Sequence, residues 1–165
     1  MKTRYTPIFR RRRQGKTNYL KRKSMIISKK TLLCIRTSNK SSTFQFLIPL
    51  IRGDLIKSSS HSAQLNKFGW TGSGKNTQAL YLTGYLAGKK AKLAGIGDAI
   101  LYSGRSQFTA KSSLIAGLKG VIDAGVDIPA QDDIFSNENK FKTETMEKII
   151  KSIDSEYGEN NGKKN

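Results

Sequence analysis

The sequence predicts an α/β fold: a three-stranded antiparallel start followed by helix, strand and helix, with a basic N-terminal extension before it and a C-terminal amphipathic helix after it. Two patterns predict it. Residues 31–60 hold short runs of strand-forming residues separated by turns, whereas residues 76–94 and 110–124 repeat apolar side chains at helical spacing on either side of the apolar segment 99–102. A third observation, a steep charge gradient along the chain, sets the extensions apart from the folded middle.

In chain order, residues 1–16 (MKTRYTPIFRRRRQGK) show neither helical nor strand periodicity and cluster Arg10, Arg11, Arg12 and Arg13. Like charges so close repel one another, and few apolar groups offset the ordering entropy, so this arm is expected to be disordered alone and to order on a polyanionic partner. Thr17 is placed to cap a short helix running through Ser28, with Lys21, Arg22 and Lys23 on its surface. TLLCIRT at 31–37, TFQFLIPLI at 43–51 and DLIKSSS at 54–60 read as three strands. In the middle one, Phe44, Phe46, Ile48 and Leu50 alternate onto one face, and Pro49, which cannot donate to a ladder, favours an edge or a bulge. Arg52, Gly53 and Asp54 form the second turn.

From about Asn76 to Ala94 the spacing of Ala79, Leu82, Leu86 and Leu93 predicts a helix stopped by Gly95. Its Gly84, Gly88 and Ala91 make a small-residue side that lets a sheet or a nucleic-acid backbone come close. AILY at 99–102 reads as a short strand. A second helix follows from about Ala110 to Ala124, with Leu114, Leu118, Val121 and Ile122 inward and Gly125 closing it. The chain ends in an amphipathic helix near 143–157 built on Met146, Ile149, Ile150, Ile153 and Tyr157. The expected organisation is a basic arm and short helix over 1–30, an α/β domain over 31–129, and an acidic extension over 130–165.

The chain has 165 residues, 30 Lys plus Arg against 12 Asp plus Glu, and a formal net charge of +18. Residues 1–53 carry 15 basic residues and no acid, residues 54–122 carry 9 against 2, and residues 123–165 carry 6 against 10. Such an excess calls for a polyanionic partner and places the contact in the first third of the chain. No apolar run approaches the roughly 18 residues of a membrane span, and the N-terminus lacks the apolar stretch of a secretory signal, so a soluble, cytoplasmic protein is expected.

Catalytic and metal readings find little support. GWTGSGKN at 69–76 nearly spells the phosphate-cradling loop Gly-x-x-x-x-Gly-Lys-Ser/Thr, but Asn76 replaces the hydroxyl that would hold magnesium and SAQLNKF before it is not a buried strand. The bland alternative is a glycine-rich loop that brings Lys75 to a phosphate. His61 is the only histidine and Cys34 the only cysteine, which excludes His–His and Cys-cluster metal spacing. A hydrogen-bonding role for His61 and a core position for Cys34 are expected. Asp54, Asp98, Asp123 and Asp127 are scattered over turns and helix ends, where capping alone accounts for acids. No cofactor is implied.

Arginine runs interleaved with Tyr5, Phe9 and Tyr19, and the segment RTSNK at 36–40, point towards RNA: guanidinium forks match phosphates, rings stack on unpaired bases, and Ser38 and Asn39 suit sugar hydroxyls. These same blocks, FRRRRQGKTNYLKR at 9–22, IRTSNK at 35–40, HSAQLNKFGWTGSGKNTQALYLTGYLAGKKA at 61–91 and GLKGVIDAGVDIP at 117–129, resemble the L-eighteen family of large-subunit ribosomal proteins, archaeal and eukaryotic type. The resemblance implies a non-enzymatic α/β domain that binds 5S rRNA at the central protuberance, beside 23S-type rRNA and the L-five-family protein. It implies RNA contacts at Arg10, Arg11, Arg12, Arg13, Lys16, Tyr19, Lys21 and Arg22, at Arg36, Ser38, Asn39 and Lys40, and at Lys89 and Lys90; Lys23 and Lys75 join them as neighbouring cations. The family's histidine after SNK is replaced by Ser41, and its aspartate-bearing strand end by LYSGRSQF at 101–108. An enzyme acting on nucleotides or nucleic acid through residues 69–76, and a DNA-binding architectural protein, are the competing readings.

Overall fold

The computed structural model describes residues 6–104, 108–109, 112–135 and 144–158. Strand β1 (Leu32–Thr37) and strand β2 (Ser42–Ile48) form an antiparallel hairpin, β2 pairs antiparallel with β3 (Leu55–His61), and β4 (Ile100–Tyr102) joins β1 in parallel. The sheet order is therefore β3-β2-β1-β4. A parallel neighbour needs a long crossover, and the central helix α3 (Thr77–Leu93) supplies it.

The two faces of the sheet are covered differently. Leu33, Ile35, Phe44 and Phe46 pack against Leu80, Ala87 and Ala91 of α3 and against Leu114, Ile115, Leu118 and Val121 of α4 (Ser113–Asp123). On the opposite face Leu32, Cys34 and Leu47 meet Met25, which comes from the short helix α2 (Tyr19–Ser28). Cys34 is thus the buried core residue its apolar run implied.

Helix α3 lies between three neighbours. Ala79, Leu82, Tyr85 and Leu86 turn away from the sheet into a second cluster with Leu65, Trp70 and the apolar side of α5 (Glu144–Gly158), namely Met146, Ile149 and Ile153. A helix buried on most sides shows little amphipathicity, so the stripe Ala79, Leu82, Leu86 marks one of its two apolar faces. The acidic C-terminal region contributes a helix that completes this second cluster.

Several expectations are corrected. The small-residue side of α3 admits α4, not the sheet or a nucleic acid: a Cβ at Gly84 would collide with the Gly117 carbonyl, one at Gly88 would meet the Ala124 Cβ, and Gly120 of α4 lies as close to the Tyr81 carbonyl. Strand β2 ends at Ile48, before the buried Pro49, which cannot donate to a ladder; the alternation holds through Leu47, which lies on the face opposite Phe46, and the register against β3 shifts between Phe46 and Leu47. Pro49 is buried, Leu50 is exposed, and Ile51 lies outside the strand. The cap of α2 is Asn18, whose Oδ1 accepts from the Leu20 and Lys21 amides, while Thr17 instead accepts from Arg11. Helix α4 starts at Ser113 behind its cap Ser112, and the expected start at Ala110 lies outside the described residues. Where the arm offered no periodicity, Arg10–Arg13 form one helical turn, α1, which buries no side chain.

His61 plays the hydrogen-bonding part expected of it. Its Nδ1 accepts from the Ala63 amide at 3.1 Å, and Gln64 closes a capping box over the 3-10 helix Ser62–Phe68. No helix among the described residues is long and apolar enough to cross a membrane.

Candidate nucleic-acid interface

The interface is assembled from the arm and the C-terminal ends of β1 and β4. After α1 the chain reverses at Gly15, which adopts a left-handed φ of 62°, and the Gly15 and Lys16 amides donate to the Arg12 and Arg11 carbonyls. Arg11 Nε donates to Thr17 Oγ1 at 2.9 Å, orienting its guanidinium. The Phe9 and Tyr19 rings lie 5.6 Å apart at 50°, joining the arm to the start of α2.

Arg22 then fixes α2 to the turn between β2 and β3. Its Nη2 and Nη1 donate to Asp54 Oδ1 at 2.6 Å and Oδ2 at 3.1 Å, and Nη2 also reaches the Leu50 carbonyl. The hydrogen bonds that Arg22 donates to Asp54 raise its guanidinium pKa above the ordinary value. This bidentate pair spends both partners on architecture.

With α2 anchored, Arg11, Lys16 and Tyr19 stand over Arg36, Thr37, Tyr102 and Ser103 and enclose a cleft of about 680 Å³. A second cleft, of about 580 Å³, lies on the Arg12 and Lys23 side of Tyr19. A third, of about 600 Å³, brings Asn39 of the β1–β2 turn to Lys75, Asn76 and Ser113 at the starts of α3 and α4. Arg10, Arg13, Lys21 and Lys40 are exposed.

The remaining candidates have partners within the chain. Ser38 closes the turn between β1 and β2: its Oγ accepts from the Ser41 amide at 3.1 Å and lies 2.8 Å from Ser41 Oγ. Lys89 pairs with Asp154 of α5 at 2.7 Å and sits over the Tyr85 ring. Burial pulls its pKa down, but hydrogen bonds with Asp154 and Tyr85 carry it above the ordinary lysine value. Lys90 donates to Gln64 Oε1 at 2.8 Å, lies 5.8 Å from the Tyr157 ring centre, and is pushed down by burial. Neither lysine lines any of the three clefts.

The glycine-rich segment 69–76 packs as a connection. A 3-10 helix precedes it instead of a strand, Gly69 caps that helix at φ 84°, and Ser42 Oγ donates to the Gly74 carbonyl at 3.2 Å. A Cβ at Gly74 would meet Ser62 and the Lys40 carbonyl, so the glycine serves close packing onto the β1–β2 hairpin. Sequence reasoning missed Thr37, Asp54, Tyr102 and Ser103 as cleft residues. AILY is legible as a strand, but its parallel placement beside β1 leaves no mark in local periodicity.

Such a cationic end on a helix-backed mixed sheet defines the class: an α/β binding module for a polyanion. Residues 3–96 match the family described as ribosomal large subunit proteins 60S L5 and 50S L18. Among relatives, the large ribosomal subunit protein uL18 of Korarchaeum cryptofilum is 41% identical over 153 residues, covering 93% of this chain and 78% of that protein. The uL18 proteins of Aeropyrum pernix and Methanothermobacter thermautotrophicus are 40% and 39% identical, over 94% and 93% of this chain and 73% and 80% of theirs. The chain belongs to this family of large-subunit ribosomal proteins. It is accordingly a structural constituent of the ribosome with ribosomal RNA as its partner, and not an enzyme.

Proposed function

We propose that the chain binds 5S rRNA and anchors it at the central protuberance, beside 23S-type rRNA and the L-five-family protein. The observation that carries this reading is the gathering of Arg11, Lys16, Tyr19 and Arg36 around one cleft at the end of the sheet. Cations supply sequence-independent phosphate affinity, while a rigid sheet end with aromatic and hydroxyl groups supplies shape-dependent contacts of the kind folded RNA requires. The exposed arm cations Arg10, Arg12, Arg13 and Lys21, with Lys23, extend the phosphate-binding track. Asn39, Lys40 and Lys75 form a second approach at the β1–β2 turn. Lys89 and Lys90 act within the protein, Lys89 holding α5 through Asp154 and Lys90 bonding Gln64 of the 3-10 helix beside the Tyr157 ring of α5. Filter binding at fixed salt tests the assignment: one-to-one binding to 5S rRNA in clear preference to transfer RNA is expected, and equal affinity for both would overturn it.

A further inference from the structure

The cleft between the arm and the ends of β1 and β4 holds more than phosphate binding requires. Among its described lining residues Asp54 is the single carboxylate, and Arg22 takes it bidentately. Arg11, Lys16 and Arg36 therefore present their charge to whatever enters. Two phenol rings line the same space. Tyr19 is about one-third exposed (36%), and Tyr102 is half-buried against the cluster of Leu32, Cys34 and Leu47 while facing the cleft. Tyr102 lines the cleft together with Arg22 and Arg36.

A groove that only followed a phosphate backbone would need cations and little else. Here an apolar floor, two aromatic rings and three cations close around a volume of about 680 Å³. Sites for single small organic ligands fall in the range of roughly 300–1,000 Å³, well above what one phosphate fills. RNA-binding proteins that discriminate stack unpaired bases on aromatic rings while holding the adjoining phosphate with cations.

We infer that this cleft is a receptor for one unpaired nucleotide of the bound RNA, its phosphate held by Arg11, Lys16 and Arg36 and its base laid against Tyr102. The inference rests on the reading that RNA meets this end of the sheet, but not on which RNA it is. The Arg22–Asp54 pair gives the receptor a direction: its two charges offset each other, so the phosphate is drawn towards Arg11 and Lys16 of the arm and the base points inward.

The test uses the full chain and two RNA hairpins of equal length, one fully paired and one with a single unpaired adenosine, with 5S rRNA and transfer RNA measured alongside. Wild-type protein should bind the bulged hairpin roughly 5- to 100-fold tighter than the paired one, the range that one base–aromatic stack supplies. Tyr102→Phe should keep that preference and Tyr102→Leu, which retains an apolar group against Leu32 and Cys34, should abolish it with little change in salt slope. Arg36→Gln, which removes a phosphate-binding charge and keeps Tyr102, should weaken the bulged complex more than the paired one. A wild-type protein without the preference, or a preference that survives both Tyr102→Leu and Arg36→Gln, overturns the receptor. Bulge preference together with equal affinity for 5S rRNA and transfer RNA would leave the receptor standing and remove the 5S assignment instead.

Discussion

At the residue scale, the structure separates side chains that share a motif. Ser38 and Asn39 are adjacent in SNK, yet Ser38 closes the β1–β2 turn through Ser41 whereas Asn39 lines the cleft with Lys75. Ser38→Ala should therefore lower stability by about 0.5–1 kcal/mol, the net worth of an exposed turn hydrogen bond. Asn39→Ala should leave the urea midpoint in place and weaken RNA binding instead; paired denaturation and binding curves would read both. The same separation holds among the cations. Arg22 faces Asp54 and Lys89 faces Asp154, while Arg11 and Arg36 line the cleft with no carboxylate among the described residues hydrogen-bonded to them. Residue type and charge runs were legible in the sequence, but the carboxylate that occupies Arg22 lies 32 positions away, across two strands. No local pattern could distinguish an architectural arginine from a binding one.

At the element scale, the contact between α3 and α4 is the least forgiving part of the molecule. Gly84 and Gly120 let each helix touch the other's backbone, with the Gly117 and Tyr81 carbonyls occupying the space a Cβ would need. Gly84→Ala should cost about 1–3 kcal/mol or more, because backbone, unlike the end of a flexible side chain, cannot step aside. Gly97→Ala, with nothing near its would-be Cβ, should stay within about 0.5 kcal/mol. Thermal melts of the two variants would show whether close approach, and not glycine content as such, matters. Strands, helices and most stops were legible because Phe44, Phe46, Leu114 and Leu118 obey their periods and Gly95 and Gly125 take left-handed φ. The end of β2 was not, since Leu50 and Ile51 continue its apolar run beyond Ile48 and the register shift against β3 after Phe46 leaves no mark in composition. Gly84 and Gly88 signalled a close approach, but not that its partner would be another helix.

At the scale of the whole molecule, charge and fold have separate places. The four arginines of α1 bury nothing and sit on one exposed turn, so they do not support the core, and on the proposed reading they serve affinity. Replacing Arg10, Arg12 and Arg13 with glutamine should leave the unfolding midpoint unchanged and weaken binding to every RNA. The logarithmic salt slope should shrink by roughly 0.7 to 0.9 for each phosphate left without its arginine, while the ratio of affinities for 5S rRNA and transfer RNA should hold. Salt titrations on both RNAs measure slope and ratio together. The acidic C-terminal region is part of the same design, since α5 covers one face of α3 and takes up Lys89 through Asp154. The parallel pairing of β1 with β4 has a consequence in time. Cys34 meets Tyr102 only after α3 has been synthesised, folded and laid across the sheet, whereas the arginine turn leaves the ribosome first. On the proposed reading, a newborn chain could therefore hold RNA by charge before it can select one. On that same reading the cleft is complete only once β4 has paired with β1, so selectivity would arrive with the end of folding, after binding by charge is already possible.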